Sequence, residues 1–95
     1  MKETEVRVPW RNGLHMSNAS RFVRLVQRFR VSVRVVCQGK AADARSILSL
    51  MLLGASFQSP LVIEVSGDDE GEAIAAVEAF FADAGPADQP PGRFP

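Results

Sequence analysis

The one histidine of this 95-residue chain, His15, is the side chain best placed for chemistry. It follows Asn12-Gly13, a turn signal, and directly precedes a segment whose apolar residues recur at helical spacing. A neutral imidazole nitrogen is a nucleophile near neutral pH. The unpaired N–H groups and the positive dipole end of a helix start can receive a transferred phosphoryl group. Ser17 or Asn18 is expected to cap this helix. On composition alone, an exposed loop histidine without a role is the plainer reading.

Other chemistries find little support. There is no Cys-x-x-Cys pair, no second histidine and no phosphate-cradling glycine loop. Cys37 is the only cysteine and alternates with Val33 and Val35, so packing is its expected role. Asp68-Asp69-Glu70 reads as the acidic start of a helix rather than a metal cluster. Phe80 and Phe81 fall on a helical apolar stripe and belong to the core. Neither a metal nor a cofactor is expected.

Formal net charge is zero, but its distribution is lopsided. Residues 1–45 carry ten basic and three acidic side chains, whereas residues 46–95 carry one basic and eight acidic ones. Opposed patches of about +7 and −7 follow, and a basic patch can meet an acidic protein, a phosphorylated ligand or nucleic acid. Arg21, Arg24 and Arg28 project from one side of the first helix with no acid among them. Ile47, Leu48, Leu50, Met51, Leu52 and Leu53 cannot all face inward on so short a helix, so part of it must form an exposed apolar patch. Arg21, Arg24, Arg28, Ile47, Leu48 and Met51 are the expected partner-binding residues. A nucleic-acid interface is disfavoured, because no aromatic stacking platform accompanies the arginines.

Seven elements must position these groups. Thr4, Val6 and Val8 alternate with charged residues to give a first strand ended by Pro9. A helix is expected from Ser17 to Arg30, then a strand through Val31, Val33, Val35 and Cys37, with Gln38-Gly39 turning into a short third strand. Ser46 reads as the N-cap of a helix from Ile47 to Leu53 that Gly54 ends. Leu61, Ile63 and Val65 mark a fourth strand, and Ala73, Ile74, Val77, Phe80 and Phe81 a last helix stopped by Gly85-Pro86. The order β-α-β-β-α-β-α predicts a two-layer α+β domain: a four-stranded antiparallel or mixed sheet with three helices on one face. The domain is expected over residues 1–85, with a disordered tail over 86–95. Apolar content of 46% against 23% charged is globular, and the longest apolar stretch, Ile47 to Ala55, is far too short to span a membrane. No signal-peptide core follows Met1-Lys2-Glu3, and a lone cysteine fits a reducing compartment, so a cytoplasmic location is expected.

Asn12-Gly13-Leu14-His15 ahead of an amphipathic helix, in a chain of this length and element order, resembles the phosphocarrier protein HPr family of the bacterial sugar phosphotransferase system. The resemblance runs from about Glu3 to Ala84. It takes in Ala19, Phe22-Val23, Phe29, Gly39-Lys40, Ser46-Ile47, Met51, Leu53-Gly54, Gly67 and Asp69-Glu70 without gaps. It implies an open-faced β-sandwich with an antiparallel sheet. It also implies that His15 accepts a phosphoryl group from the phosphoenolpyruvate-dependent enzyme I and relays it to IIA domains, as a carrier with a transient phosphohistidine rather than a turnover enzyme.

The family motif continues after its histidine with a small or polar residue, an arginine and a proline, where this chain reads Met16-Ser17-Asn18. The guanidinium that would neutralise a phosphoryl group is therefore missing, and Ser17 and Asn18 are the expected phosphate-supporting residues. They also stand in for the proline as helix starters. The resemblance makes Ser46 a candidate for regulatory phosphorylation by HPr kinase/phosphorylase, with a transcription regulator as a further partner. Two readings result: a phosphocarrier working through His15, or a non-relaying regulatory module that acts by protein binding and is switched at Ser46.

Overall fold

The computed structural model describes residues 1–87. Its elements are β1 (Lys2–Arg7), α1 (Met16–Val26), β2 (Val31–Cys37), β3 (Lys40–Asp43), α2 (Ile47–Leu52), β4 (Pro60–Gly67) and α3 (Glu70–Ala87). The strands form one antiparallel sheet in the order β1-β4-β2-β3. The two central strands carry the strictest alternation. Val33, Val35 and Cys37 of β2 and Leu61, Ile63 and Val65 of β4 are all buried under the helices. Because the side-chain period of a strand is two, the residues between them face the open side. There Arg34 pairs with Glu64 at 3.0 Å, and the register places Glu3 and Asp43 on either side of the pair.

The helical layer closes the core with Ala19, Phe22, Val23 and Val26 from α1 and Ala73, Val77 and Phe81 from α3. Leu50 is the α2 side chain buried most deeply. Trp10, Phe22, Phe80 and Phe81 form an aromatic cluster with ring centroids 5.3–5.8 Å apart in edge-on and tilted arrangements. Edge-to-face geometry is favoured by the ring quadrupoles and adds to the area each ring buries. Trp10 thus anchors the segment leading to His15.

Three expectations need correcting. The first helix ends at Val26 rather than Arg30: Arg28 N–H donates to Leu25 and Phe29 N–H to Val26, and these tighter turns fold Phe29 onto the core ahead of β2. Its N-cap is His15, not Ser17 or Asn18. The last helix runs through Gly85-Pro86 to Ala87: so near a helix end, a proline's missing donor and its clash with the carbonyl four residues back disturb only the final turn. The rest of the expected tail, 88–95, lies outside the described residues.

Candidate functional site

The His15 loop is built by backbone pairing between two loops at the end of the sheet. Gln58 N–H donates to Val8 (2.8 Å) and Val8 N–H to Ser59 (3.0 Å), which ties the exit of β1 to the entry of β4. Gly13 N–H closes a turn onto Trp10 (2.9 Å), and Leu14 N–H donates to Ala55 (3.0 Å). Leu14 is buried, so the next residue emerges at the surface, and His15 is half-buried.

His15 has extended backbone angles (φ −116°, ψ 179°) and starts α1, its carbonyl accepting the Ala19 N–H at 2.9 Å. Asn18 is the third helical residue. Its Oδ1 accepts the His15 backbone N–H at 3.0 Å, and the His15 ring faces the Asn18 backbone N–H, completing a reciprocal capping box. The Asn18 Nδ2 donates to the Gly13 carbonyl at 3.2 Å. Position 18 is therefore not the helix-starting site expected from the proline of the family motif, but the residue that closes the first turn.

The N–H groups of Met16 and Ser17 have no intrahelical acceptor, as at any helix start, and the first turn contains no acid. An anion on the His15 ring would thus meet backbone donors and the positive end of an 11-residue helix with no carboxylate on that turn to oppose it. Ser17 is exposed beside these groups.

The other expected residues occupy neighbouring ground. Arg24 is exposed on α1, its Nη2 donating to Ser20 Oγ at 3.4 Å, and Arg21 is half-buried one turn earlier. Arg28 is exposed but sits in the turn after α1, off the helix face on which periodicity put it. On α2, which packs against α1, Leu48 is 67% exposed and Ile47 and Met51 are half-buried. Leu52, counted in the apolar run but not among the partner-binding residues, is also exposed, as are Met16 and Phe57, which sequence reasoning passed over. The signal for Met16 was its place at the first helical position, where no core contact is available. Ser46 caps α2, its Oγ accepting the Ser49 N–H at 3.1 Å. Concave ground lies elsewhere, near Arg30, Arg45 and Gly67 and on the open sheet face near Arg34 and Glu64.

Fold and site define a class: an open-faced α+β sandwich presenting a histidine at the start of its first helix. A family model described as the phosphotransferase-system HPr component phosphorylation site matches residues 2–83, and the chain belongs to this HPr family. It is 35% identical over 81 residues to the HPr-like protein Crh of Halalkalibacterium halodurans, covering 85% of this chain and 96% of that protein. It is 34% identical over 70 residues to the phosphocarrier protein HPr of Cupriavidus necator, covering 74% and 79% respectively. A crystal structure of HPr from Thermoanaerobacter tengcongensis superposes with a TM-score of 0.84 at 31% identity, over 90% of this chain and 97% of that one. No described helix is long and apolar enough to cross a membrane.

Proposed function

We propose that this protein is a cytoplasmic phosphocarrier in which His15 accepts a phosphoryl group from enzyme I and passes it to IIA-type proteins. The observation that carries this reading is His15 as the N-cap of an acid-free helix start. The unprotonated ring nitrogen attacks the phosphorus, a nitrogen–phosphorus bond forms, and the bond to the donor breaks with its electron pair staying on the donor. Backbone donors of the first turn and the Ser17 hydroxyl take the developing charge on the phosphoryl oxygens. The reverse displacement on an acceptor protein discharges His15. Arg21, Arg24 and Arg28 steer acidic partners toward the site, while Ile47, Leu48 and Met51 supply the apolar contact.

The test is incubation with phosphoenolpyruvate and enzyme I, then mass spectrometry under mildly alkaline conditions that preserve phosphohistidine. A single acid-labile phosphoryl group that His15→Ala abolishes is the expected result. Unchanged labelling of that variant overturns the assignment.

Two observations favour a second reading, a regulatory module that does not relay phosphate. Ser17 stands where the family motif has its arginine, and one relative is named HPr-like protein Crh. A solved Bacillus subtilis relative, 31% identical with a TM-score of 0.71, is described as a catabolite repression protein. In this reading HPr kinase/phosphorylase modifies Ser46 and the modified protein binds a transcription regulator. Labelling of Ser46 by that kinase, with no labelling of His15 by enzyme I, selects it.

A further inference from the structure

Asn18 is the only polar side chain that is fully buried among the described residues. A buried carboxamide is costly unless each end finds a partner. Here both ends are spent on the backbone on either side of Leu14, the residue that delivers His15: Oδ1 on the His15 N–H and Nδ2 on the Gly13 carbonyl. The first bond is the return half of the capping box, whereas the second, to the incoming loop, is one a helix start does not need in order to form. Together they fix the His15 peptide between the incoming loop and the first turn.

We propose that Asn18 is the positioning residue for phosphoryl transfer at His15, its carboxamide clamping the backbone of the nucleophile while its N–H selects the reacting ring nitrogen. This inference rests on the carrier reading. The Asn18 N–H faces the ring as the donor side of the capping box, an approach that favours a ring nitrogen carrying no proton. The proton is thereby kept on the other ring nitrogen, and the lone pair lies on the side of the helix start. When the phosphorus–nitrogen bond forms there, the Asn18 N–H passes from the ring nitrogen to a phosphoryl oxygen. It joins the Met16 and Ser17 N–H groups as a third backbone donor. A proline at this position offers no N–H and no carboxamide.

Asn18→Ala removes the clamp and keeps the backbone N–H, whereas Asn18→Pro removes both. Proline is tolerated in a first helical turn, so the second variant keeps the fold. Phosphoramidate serves as a donor that needs no partner protein: ammonia leaves with the electron pair of its nitrogen–phosphorus bond as the His15 ring forms the new one. In the wild-type protein, ¹⁵N signals of the ring are expected to show the helix-facing nitrogen unprotonated. Asn18→Pro should weaken that preference about two- to tenfold, the range one net hydrogen bond supports. Asn18→Ala should slow phosphoramidate labelling about tenfold, and Asn18→Pro should slow it further. Wild-type ring signals and labelling rates in both folded variants overturn the proposal. Failure of the carrier reading looks different: phosphoramidate labelling still depends on Asn18, but enzyme I and phosphoenolpyruvate label nothing.

Discussion

Gly13 stands so close to Ala55 that a β-carbon on it would lie 2.6 Å from the Ala55 carbonyl oxygen, the same oxygen that accepts the Leu14 N–H. The contact joins the loop that presents His15 to the loop after α2, and it leaves no room for a side chain. Gly13 also has φ +78°, in the left-handed region. Gly54 has a similar φ of +65° but open space around it. Gly13→Ala should therefore cost at least ~2 kcal/mol, from backbone strain plus displacement of Ala55. Gly54→Ala should cost only about 1 kcal/mol, from the strain alone. Urea unfolding of the two variants checks the difference, and equal losses would refute the contact's role.

A missing guanidinium should be restorable. Ser17 is exposed at the second helical position, beside the N–H groups proposed to hold the phosphoryl group. A charged hydrogen bond contributes about 1.5–3 kcal/mol, or roughly 10- to 100-fold. Ser17→Arg is expected to accelerate phosphoryl acceptance from enzyme I by that order, measured by quench-flow. An unchanged rate would mean that another residue already fills the role.

The docking surface separates into steering and contact. Arg24→Glu should slow association with enzyme I about tenfold at low salt and flatten its salt dependence. Leu48→Glu should instead raise the dissociation rate, because it places a charge in the apolar contact. Leu48 is mostly exposed, so its unfolding free energy should stay within ~0.5 kcal/mol of wild type. Ser46→Asp should weaken the same complex without unfolding the domain. Surface plasmon resonance measures all three, and wild-type kinetics throughout would rule the patch out.

Acid sensitivity should arise at the start of α3. Asp69 Oδ2 accepts the Arg30 backbone N–H at 2.8 Å and lies 3.5 Å from the Arg30 guanidinium, and the backbone bond foremost holds its pKa below the ordinary value. Glu70 is lowered likewise, chiefly by accepting the Gly67 N–H and secondarily by the N-terminal ammonium. A carboxylate whose folded pKa is depressed stabilises the fold above its unfolded pKa, about 4, and loses that contribution as pH falls through the folded value. Melting temperature should therefore drop below about pH 4. Asp69→Asn should start lower at neutral pH and fall less steeply. An unchanged slope would remove Asp69 as a source.

Much of the fold is legible in the sequence. Strands β2 and β4 declared themselves because alternation of period two leaves one choice of buried face, and that choice is Val33, Val35, Leu61, Ile63 and Val65. The Gln38-Gly39 turn and the Ser46 cap were equally local, each depending on residues no more than three apart. His15 stood out because it is the one histidine and follows a turn signal. The sequence by itself therefore determined the elements and their order, which follow from short-range periodicity, and singled out His15 as the candidate nucleophile.

Tertiary structure decided what depends on partners distant in sequence. Gly13 meets Ala55 across 42 positions, and Asp69 meets Arg30 across 39, and no local pattern encodes either pairing. Trp10 packs against Phe80 and Phe81 from the far end of the chain, partners that no local pattern announces. The place of Asn18 was hidden for a subtler reason. A side chain of its type caps helices from several positions, and only the folded path of Gly13–His15 shows it buried, with both ends of its carboxamide bonded to the backbone on either side of Leu14.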